Sequence, residues 1–265
     1  MNRIDTTFRK LKTARKKAFI PFITAGFPDL ATTEKLILAL EASGADIIEL
    51  GIPFSDPVAD GALIQEASQW ALERNKVNLA KVLQLVKDVR KITDVPICFM
   101  SYYNPIFAFG EEKFLRQAKA CGVDGVIIPD LPPEEGQSLA RIARISGVEI
   151  INFIAPTTKP ERIKFISRLS RGFIYYVSLT GTTGTRSSLP ADLEFHIKAV
   201  KRLCDKPVCV GFGVSNPAQV KLVAKVADGV IVGSAIVRKI KENIGRPDLV
   251  KNVSLFVSGL SRNCR

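Results

Sequence analysis

Residues 46–61 read Asp46-Ile47-Ile48-Glu49-Leu50-Gly51-Ile52-Pro53-Phe54-Ser55-Asp56-Pro57-Val58-Ala59-Asp60-Gly61. The first five form a short apolar run with one carboxylate near its end, the pattern of a buried strand. Alternation puts Ile47 and Glu49 on one face and Ile48 and Leu50 on the other. A glutamate at the C-terminal end of such a strand is costly to bury unless it has a task or a partner. A loop with two prolines follows, then Asp60, just before a helical run. Asp60 fits either a helix N-cap or the second member of a functional pair. Two carboxylates in different environments can be pushed apart in pKa and divide acid and base work.

The same strand signal recurs on both sides of this stretch. Apolar, β-rich runs fall at 18–24, 46–50, 96–101, 125–129, 149–154, 173–178, 207–211 and 229–232. Helical periodicity fills the intervals at 32–43, 62–75, 79–92, 111–121, 134–146, 160–169, 193–203 and 217–225. Near-continuous apolar strands alternating with helices imply a parallel sheet covered by helices. Eight such units predict an α/β fold, a closed (β/α)8 TIM barrel, with an open doubly wound sheet as the alternative. Asp29, Thr32 or Thr33 can open the first of these helices, Asp192 or Pro190 the one at 193–203, and Ser215-Asn216-Pro217 the one at 217–225. Segment 1–17 reads as an added N-terminal helix and 247–259 as a last helix packed outside. No linker or composition break interrupts the pattern, so residues 1–265 are expected to form a single barrel domain.

Composition narrows the functional classes. The chain has 265 residues, 46% hydrophobic and 24% charged, enough to bury a sizeable core. No apolar run reaches membrane-spanning length, and the N-terminus lacks the apolar core of a signal peptide, which points to a cytoplasmic protein. Five scattered cysteines without a C-x-x-C argue against a disulfide framework or a zinc site; no metal is expected. The net charge is +12, and residues 1–17 hold seven bases against one acid. A basic arm can bind nucleic acid, but no aromatic-interleaved or groove-reading motif accompanies it. The plainer reading is a solvated basic helix that also draws anionic substrates.

In a barrel, chemistry belongs at the C-terminal ends of the strands. Glu49 and Asp130 are the carboxylates there. Glycine turns late in the chain, at 181–184, 211–215 and 233–235, let backbone N–H groups approach an anion closely. The last two follow the seventh and eighth strands, where barrels commonly build a phosphate cup, and Ser234 adds a hydroxyl donor. No nucleoside triphosphate or dinucleotide motif is present.

These residues resemble the tryptophan synthase alpha subunit family. Residues 49–61 are close to its signature. Supporting pieces run in order through the chain: Pro21-Phe22-Ile23-Thr24-Ala25-Gly26, Tyr102-Tyr103-Asn104-Pro105, Pro129-Asp130-Leu131-Pro132, 181–184, Val210-Gly211-Phe212-Gly213 and Val232-Gly233-Ser234-Ala235. Thr182 stands where the family often has valine, and the N-terminal segment is more basic than the family pattern. The resemblance implies retro-aldol cleavage of indole-3-glycerol phosphate to indole and glyceraldehyde 3-phosphate. It implies a beta subunit partner in an alpha2beta2 heterotetramer, with pyridoxal phosphate on that subunit and no cofactor on this chain, and neither nucleic acid nor membrane as partner.

Read against that reaction, Glu49 is the expected proton carrier for indole C3 and the side-chain hydroxyl. Asp60 is expected to face the charge that develops on the indole nitrogen. Tyr175 matches a family tyrosine near the glutamate, with barrel packing as its plainer role. Phe22, Ile64, Met100 and Phe212 are candidate walls for the indole ring. Thr183, Gly184, Gly213, Gly233 and Ser234 belong to the expected phosphate side. Asp56, Asn104 and Pro132 are the expected partner-facing residues. Asp130 has no proton-transfer role assigned, and His196, the single histidine, reads as a surface or satisfied structural residue. Loops 53–60 and 179–189 are long for βα turns and are expected to move on ligand and partner binding. A Schiff-base aldolase on the same barrel would need a lysine at a strand end. The run 173–178 has none, and Lys159 reads as part of a helix start.

Overall fold

A computed structural model describes residues 2–177, 192–211 and 213–264. Eight strands close into one parallel barrel in sequence order. They are β1 (Ala18–Thr24), β2 (Ile48–Gly51), β3 (Ile97–Met100), β4 (Gly125–Ile127), β5 (Glu149–Ile154), β6 (Ile174–Val177), β7 (Val208–Gly211) and β8 (Gly229–Val232). The expected barrel is therefore present, and the open sheet is excluded because β8 pairs back onto β1.

Helices wrap the outside. They are α1 (Arg3–Thr13), α2 (Leu30–Ala42), α3 (Ala62–Asn75), α4 (Leu79–Val89), α5 (Tyr103–Phe109) and α6 (Glu111–Cys121). The series continues with α7 (Gln137–Ser146), α8 (Pro160–Leu169), α9 (Leu193–Leu203), α10 (Pro217–Val226), α11 (Ser234–Lys241) and α12 (Leu249–Ser261). The starts are set by local chemistry. Asp29 accepts the Thr32 amide at 2.6 Å to open α2, and Asn216 accepts the Gln219 amide at 3.0 Å ahead of Pro217 to open α10. Asp192 stands at the N-cap of α9 without a side-chain cap bond.

Some boundaries differ from the sequence reading. The helix expected over 79–92 ends at Val89. Arg90 turns inward there and donates to the carbonyls of Gly122 and Val95 and to Asp124 at 2.8 Å. The helix expected from residue 134 starts at Gln137, after a turn. Two helices were not anticipated, α5 and α11. Both are short, and both begin directly at a strand-end motif that reads as loop.

The added N-terminal helix acts as the floor of the barrel. Ile4 is fully buried, and its Cδ1 lies 3.0 Å from where a Cβ on Gly125 would sit, inside the ring of strands. Asn2 caps α1 through the Ile4 amide, while Arg3 pairs with Asp94 and with buried Asp124. Ile4→Ala should leave a cavity at this floor and cost about 2–5 kcal/mol. Urea unfolding followed by circular dichroism measures this. A midpoint equal to that of the parent would show that α1 does not seal the barrel.

Candidate active site

Glu49 is the second residue of β2, in register with Phe22 on β1 and Cys98 on β3. Partners in a parallel register share a face, and here that face is the barrel interior. Glu49 is 1% exposed, and its Oε2 has no hydrogen-bond partner among the described residues. Burial, and after it the charge of Asp60, raises its pKa to about 8.

Asp60 ends the loop that follows β2. It does not cap α3: the N-cap residue is Gly61, which makes no side-chain cap bond. The Asp60 side chain turns instead to Tyr102, whose hydroxyl donates to Oδ2 at 3.0 Å. That same hydroxyl accepts the Ala59 amide at 3.0 Å, so one phenol holds both the loop backbone and the carboxylate. The Tyr102 ring packs on Phe54 with centroids 5.4 Å apart. Gln65 Nε2 donates to the Asp60 carbonyl at 2.9 Å. Asp60 is 5% exposed, and its Oδ1 has no partner among the described residues. Burial raises its pKa to about 6, against the lowering effect of the Tyr102 hydrogen bond. Burial first, then the Asp60 charge, pushes the Tyr102 phenol above its ordinary range, so it stays a donor. In the sequence Tyr102 stands out only as part of the resemblance segment Tyr102-Tyr103-Asn104-Pro105, with no role attached; only folding brings it to Asp60.

Tyr175 lies on β6, 4% exposed, with its ring against Phe153 at 4.8 Å between centroids. Burial, then the charges of Glu49 and Asp60, hold its phenol protonated. A Cβ on Gly211 would overlap the Tyr175 ring, and one on Gly51 would come within 2.6 Å of the Phe22 ring. Glycine at these two strand ends therefore leaves room for the aromatic side chains of neighbouring strands. Phe22, Ile64 and Met100 are all buried, on β1, α3 and β3. The Thr24 hydroxyl at the end of β1 is buried without a partner among the described residues.

Gly213 follows β7 with φ +80°, a conformation that favours glycine. Gly233 immediately precedes α11, and Ser234 is the first residue of that helix. Their placement at the ends of β7 and β8 beside a helix N-terminus suits an anion. Thr183, Gly184, Phe212 and the 179–189 loop lie outside the described residues. Asp130 is exposed and accepts the Tyr103 amide at 2.9 Å at the start of α5, and its charge acts on the neighbouring Tyr102 phenol. Asp56 and Pro132 are exposed in the loops after β2 and β4, and Asn104 is exposed on α5; Val58 in the first of these loops and Phe107 on α5 are exposed apolar side chains. His196 sits on α9 within 3.1 Å of Asp192, on the outer surface.

The interior of the barrel mouth thus holds two buried carboxyl groups, each with one oxygen that has no partner among the described residues, and apolar walls. Burial raises both pKa values, that of Glu49 further than that of Asp60, so Glu49 holds its proton to the higher pH. The sequence profile described as "Tryptophan synthase alpha chain" matches residues 8–261. A tryptophan synthase alpha chain from Geotalea daltonii is 51% identical over 260 residues, covering 98% of each chain. The crystal structure of tryptophan synthase subunit alpha from Legionella pneumophila superposes with a TM-score of 0.93 at 39% identity, covering 100% of this chain and 98% of that one. The tryptophan synthase complex from Pyrococcus furiosus gives a TM-score of 0.84 at 41% identity, covering 92% and 98%.

Proposed function

The chain belongs to the tryptophan synthase alpha chain family, and from that premise we propose how its own residues carry out the family's lyase step. That step cleaves indole-3-glycerol phosphate to indole and glyceraldehyde 3-phosphate in L-tryptophan biosynthesis. The protonated carboxyl of Glu49 gives its proton to indole C3, and positive charge develops across the ring toward the nitrogen. The ionised carboxylate of Asp60 faces the ring N–H and stabilises that charge. Glu49, now a carboxylate, takes the proton from the side-chain hydroxyl on the carbon attached to C3. The bond between C3 and that carbon breaks, its electrons restore the indole ring, and the hydroxyl carbon leaves as the aldehyde. One carboxyl group thus acts as acid and then as base.

One observation carries the proposal: Glu49 and Asp60 are both buried at the barrel mouth, each with one carboxylate oxygen that has no partner among the described residues, and burial raises both pKa values, to about 8 and about 6. Tyr175 packs beside the pair as a neutral phenol. Phe22, Ile64 and Met100, with Phe212, would enclose the indole. The backbone at Gly213, Gly233 and Ser234, with Thr183 and Gly184, would take the phosphate. No lysine lies in any of the eight strands, so the Schiff-base alternative lacks its amine.

Residues 1–265 act as one barrel domain in this proposal, in the cytoplasm, within an alpha2beta2 assembly. Among the described residues no helix is long and apolar enough to cross a membrane. Asp56, Asn104 and Pro132, with exposed Val58 and Phe107, would face the beta subunit. The direct test is incubation with indole-3-glycerol phosphate and measurement of indole release, alone and with a beta subunit. Absence of indole in both would overturn the proposal.

Gly233→Asp should weaken binding of glycerol phosphate analogues by at least about tenfold, because a carboxylate at the start of α11 takes the place of the anion. The side chain fits, since a Cβ there meets Phe22 at an ordinary 3.4 Å. The equivalent change at Gly213 would also strain a positive φ, which makes Gly233 the cleaner site. Unchanged analogue affinity in the folded variant, by calorimetry, would place the phosphate elsewhere.

A further inference from the structure

The opposite end of the barrel holds a cavity of about 540 Å³, between α1 and the starts of β7 and β8. Phe8, Leu11, Cys204 and Pro207 supply its apolar lining. Its walls carry six cations, Lys12, Arg15, Lys16, Lys17, Lys201 and Lys206, against two acids, Asp205 and Asp228. The acids are already engaged. Asp228 pairs with Lys201 at 2.7 Å and Lys17 at 3.6 Å and accepts the Val208 amide, while Asp205 pairs with Lys206 at 2.8 Å. Lys12, Arg15 and Lys16 make no ion pair among the described residues. Three cations at one cavity are therefore left without an ion-pair partner among the described residues.

These residues fall at the C-terminal end of α1. Helix α1 ends with the Lys16 amide on the Leu11 carbonyl at 2.9 Å and the Arg15 amide on the Lys12 carbonyl at 3.1 Å. This is the helix ending that favours glycine at its left-handed position. Arg15 occupies that position with φ +54°. The chain accepts an unfavourable conformation where a cation results.

We propose that this cavity is a binding site for a small anion carrying two or more phosphoryl groups. A guanidinium beside several ammonium groups matches clustered phosphate oxygens, which accept charge-assisted hydrogen bonds from all of them. The volume suits a small molecule. A nucleic acid strand would need a groove with exposed aromatic faces for its bases, whereas the one aromatic side chain here, Phe8, is 8% exposed. Such an anion would bridge Lys12, Arg15 and Lys16 on the α1 side to Lys201 and Lys206 on the barrel side. Because α1 seals the barrel floor through Ile4, occupancy would stabilise the folded chain by mass action.

Calorimetry and thermal unfolding with pyrophosphate and tripolyphosphate test this, against sodium chloride at matched ionic strength. Amine labelling read by mass spectrometry locates the site. Saturable binding is expected, with a raised Tm and protection of Lys12, Lys16 and Lys206 from labelling. Lys12→Glu with Lys16→Glu should weaken it by about tenfold or more while indole release is unchanged. Arg15→Gly should also weaken binding yet hold or raise the Tm of the free protein, because glycine relieves the left-handed position. A purely structural Arg15 would change the Tm alone. The proposal is overturned by protection equal to that of matched salt. It is also overturned by binding that survives the lysine reversals but is lost in Gly233→Asp, which would put the anion at the other end. Tighter binding of a single-stranded oligonucleotide than of tripolyphosphate would overturn it in favour of a nucleic-acid surface.

Discussion

Glu49→Gln is expected to lower kcat for indole release by about 10²–10⁴ with little change in KM. The amide keeps the size and burial of the carboxyl but neither delivers nor accepts a proton. The same assignment fixes the pH profile of the parent. Glu49 must hold its proton to start the reaction, so activity falls above about 8, and Asp60 must be ionised, so activity falls below about 6. The two limbs belong to the interacting pair, and the window between them is where one carboxyl is neutral and the other charged. Near-parental turnover by a folded Glu49→Gln protein would remove Glu49 from the chemistry.

The same substitution has an opposite effect on stability. Both carboxyl groups have folded pKa values above their unfolded ones, so the folded state holds protons more tightly. Their favourable contribution is complete below the unfolded values of 4.5 and 3.8, and is lost as pH rises through about 8 and about 6. Above pH 8 the parent must bury a charged Glu49 whose Oε2 has no partner among the described residues. Glu49→Gln should then be the more stable protein by a few kcal/mol, at about 1.4 kcal/mol per pKa unit. The advantage should shrink to nothing near pH 4. Thermal unfolding across pH 4–9 checks the sign. A variant less stable than the parent at pH 9 would mean that Glu49 makes a stabilising contact in its charged form.

The barrel was legible because its strands announce themselves locally. Runs such as Ala18–Thr24, apolar up to its last residue, and Gly229–Val232 appear in the structure with those limits. β2 starts two residues later than its apolar pattern, at Ile48, because Asp46 exchanges hydrogen bonds with Phe19 on the neighbouring strand and is spent on that contact. Glu49 was legible for the opposite reason, as a charge where the pattern wants none. What lay beyond the sequence was long-range. Asp60 and Tyr102 are 42 residues apart, and nothing in 46–61 announces that a phenol will hold both the carboxylate and the Ala59 amide. The need for glycine at 211 comes likewise from the Tyr175 ring on the next strand. Helix α11 was hidden by its position, because its first residue sits inside a glycine turn that already had a phosphate reading.

Asp60→Asn is expected to lower indole release by about 10²–10³, the scale of losing one preorganised electrostatic partner of a developing charge. The substitution isolates charge from structure. Asparagine caps a helix as well as aspartate does, and the cap of α3 is Gly61 in any case. The amide oxygen can still accept the Tyr102 hydroxyl, so the loop anchor through Ala59 remains. Stability should therefore hold, and should rise slightly above pH 6, where the parent carries a buried charge there. Tyr102→Phe tests the same carboxylate from the other side. The lost hydrogen bond lowered the Asp60 pKa, so its removal should move the acidic limb of the pH profile upward. At pH 8, where Asp60 is ionised in either case, the loss in kcat should be smaller than for Asp60→Asn. An Asp60→Asn protein that keeps its turnover but melts well below the parent would assign Asp60 to the fold. An acidic limb unmoved by Tyr102→Phe would show that another group sets it.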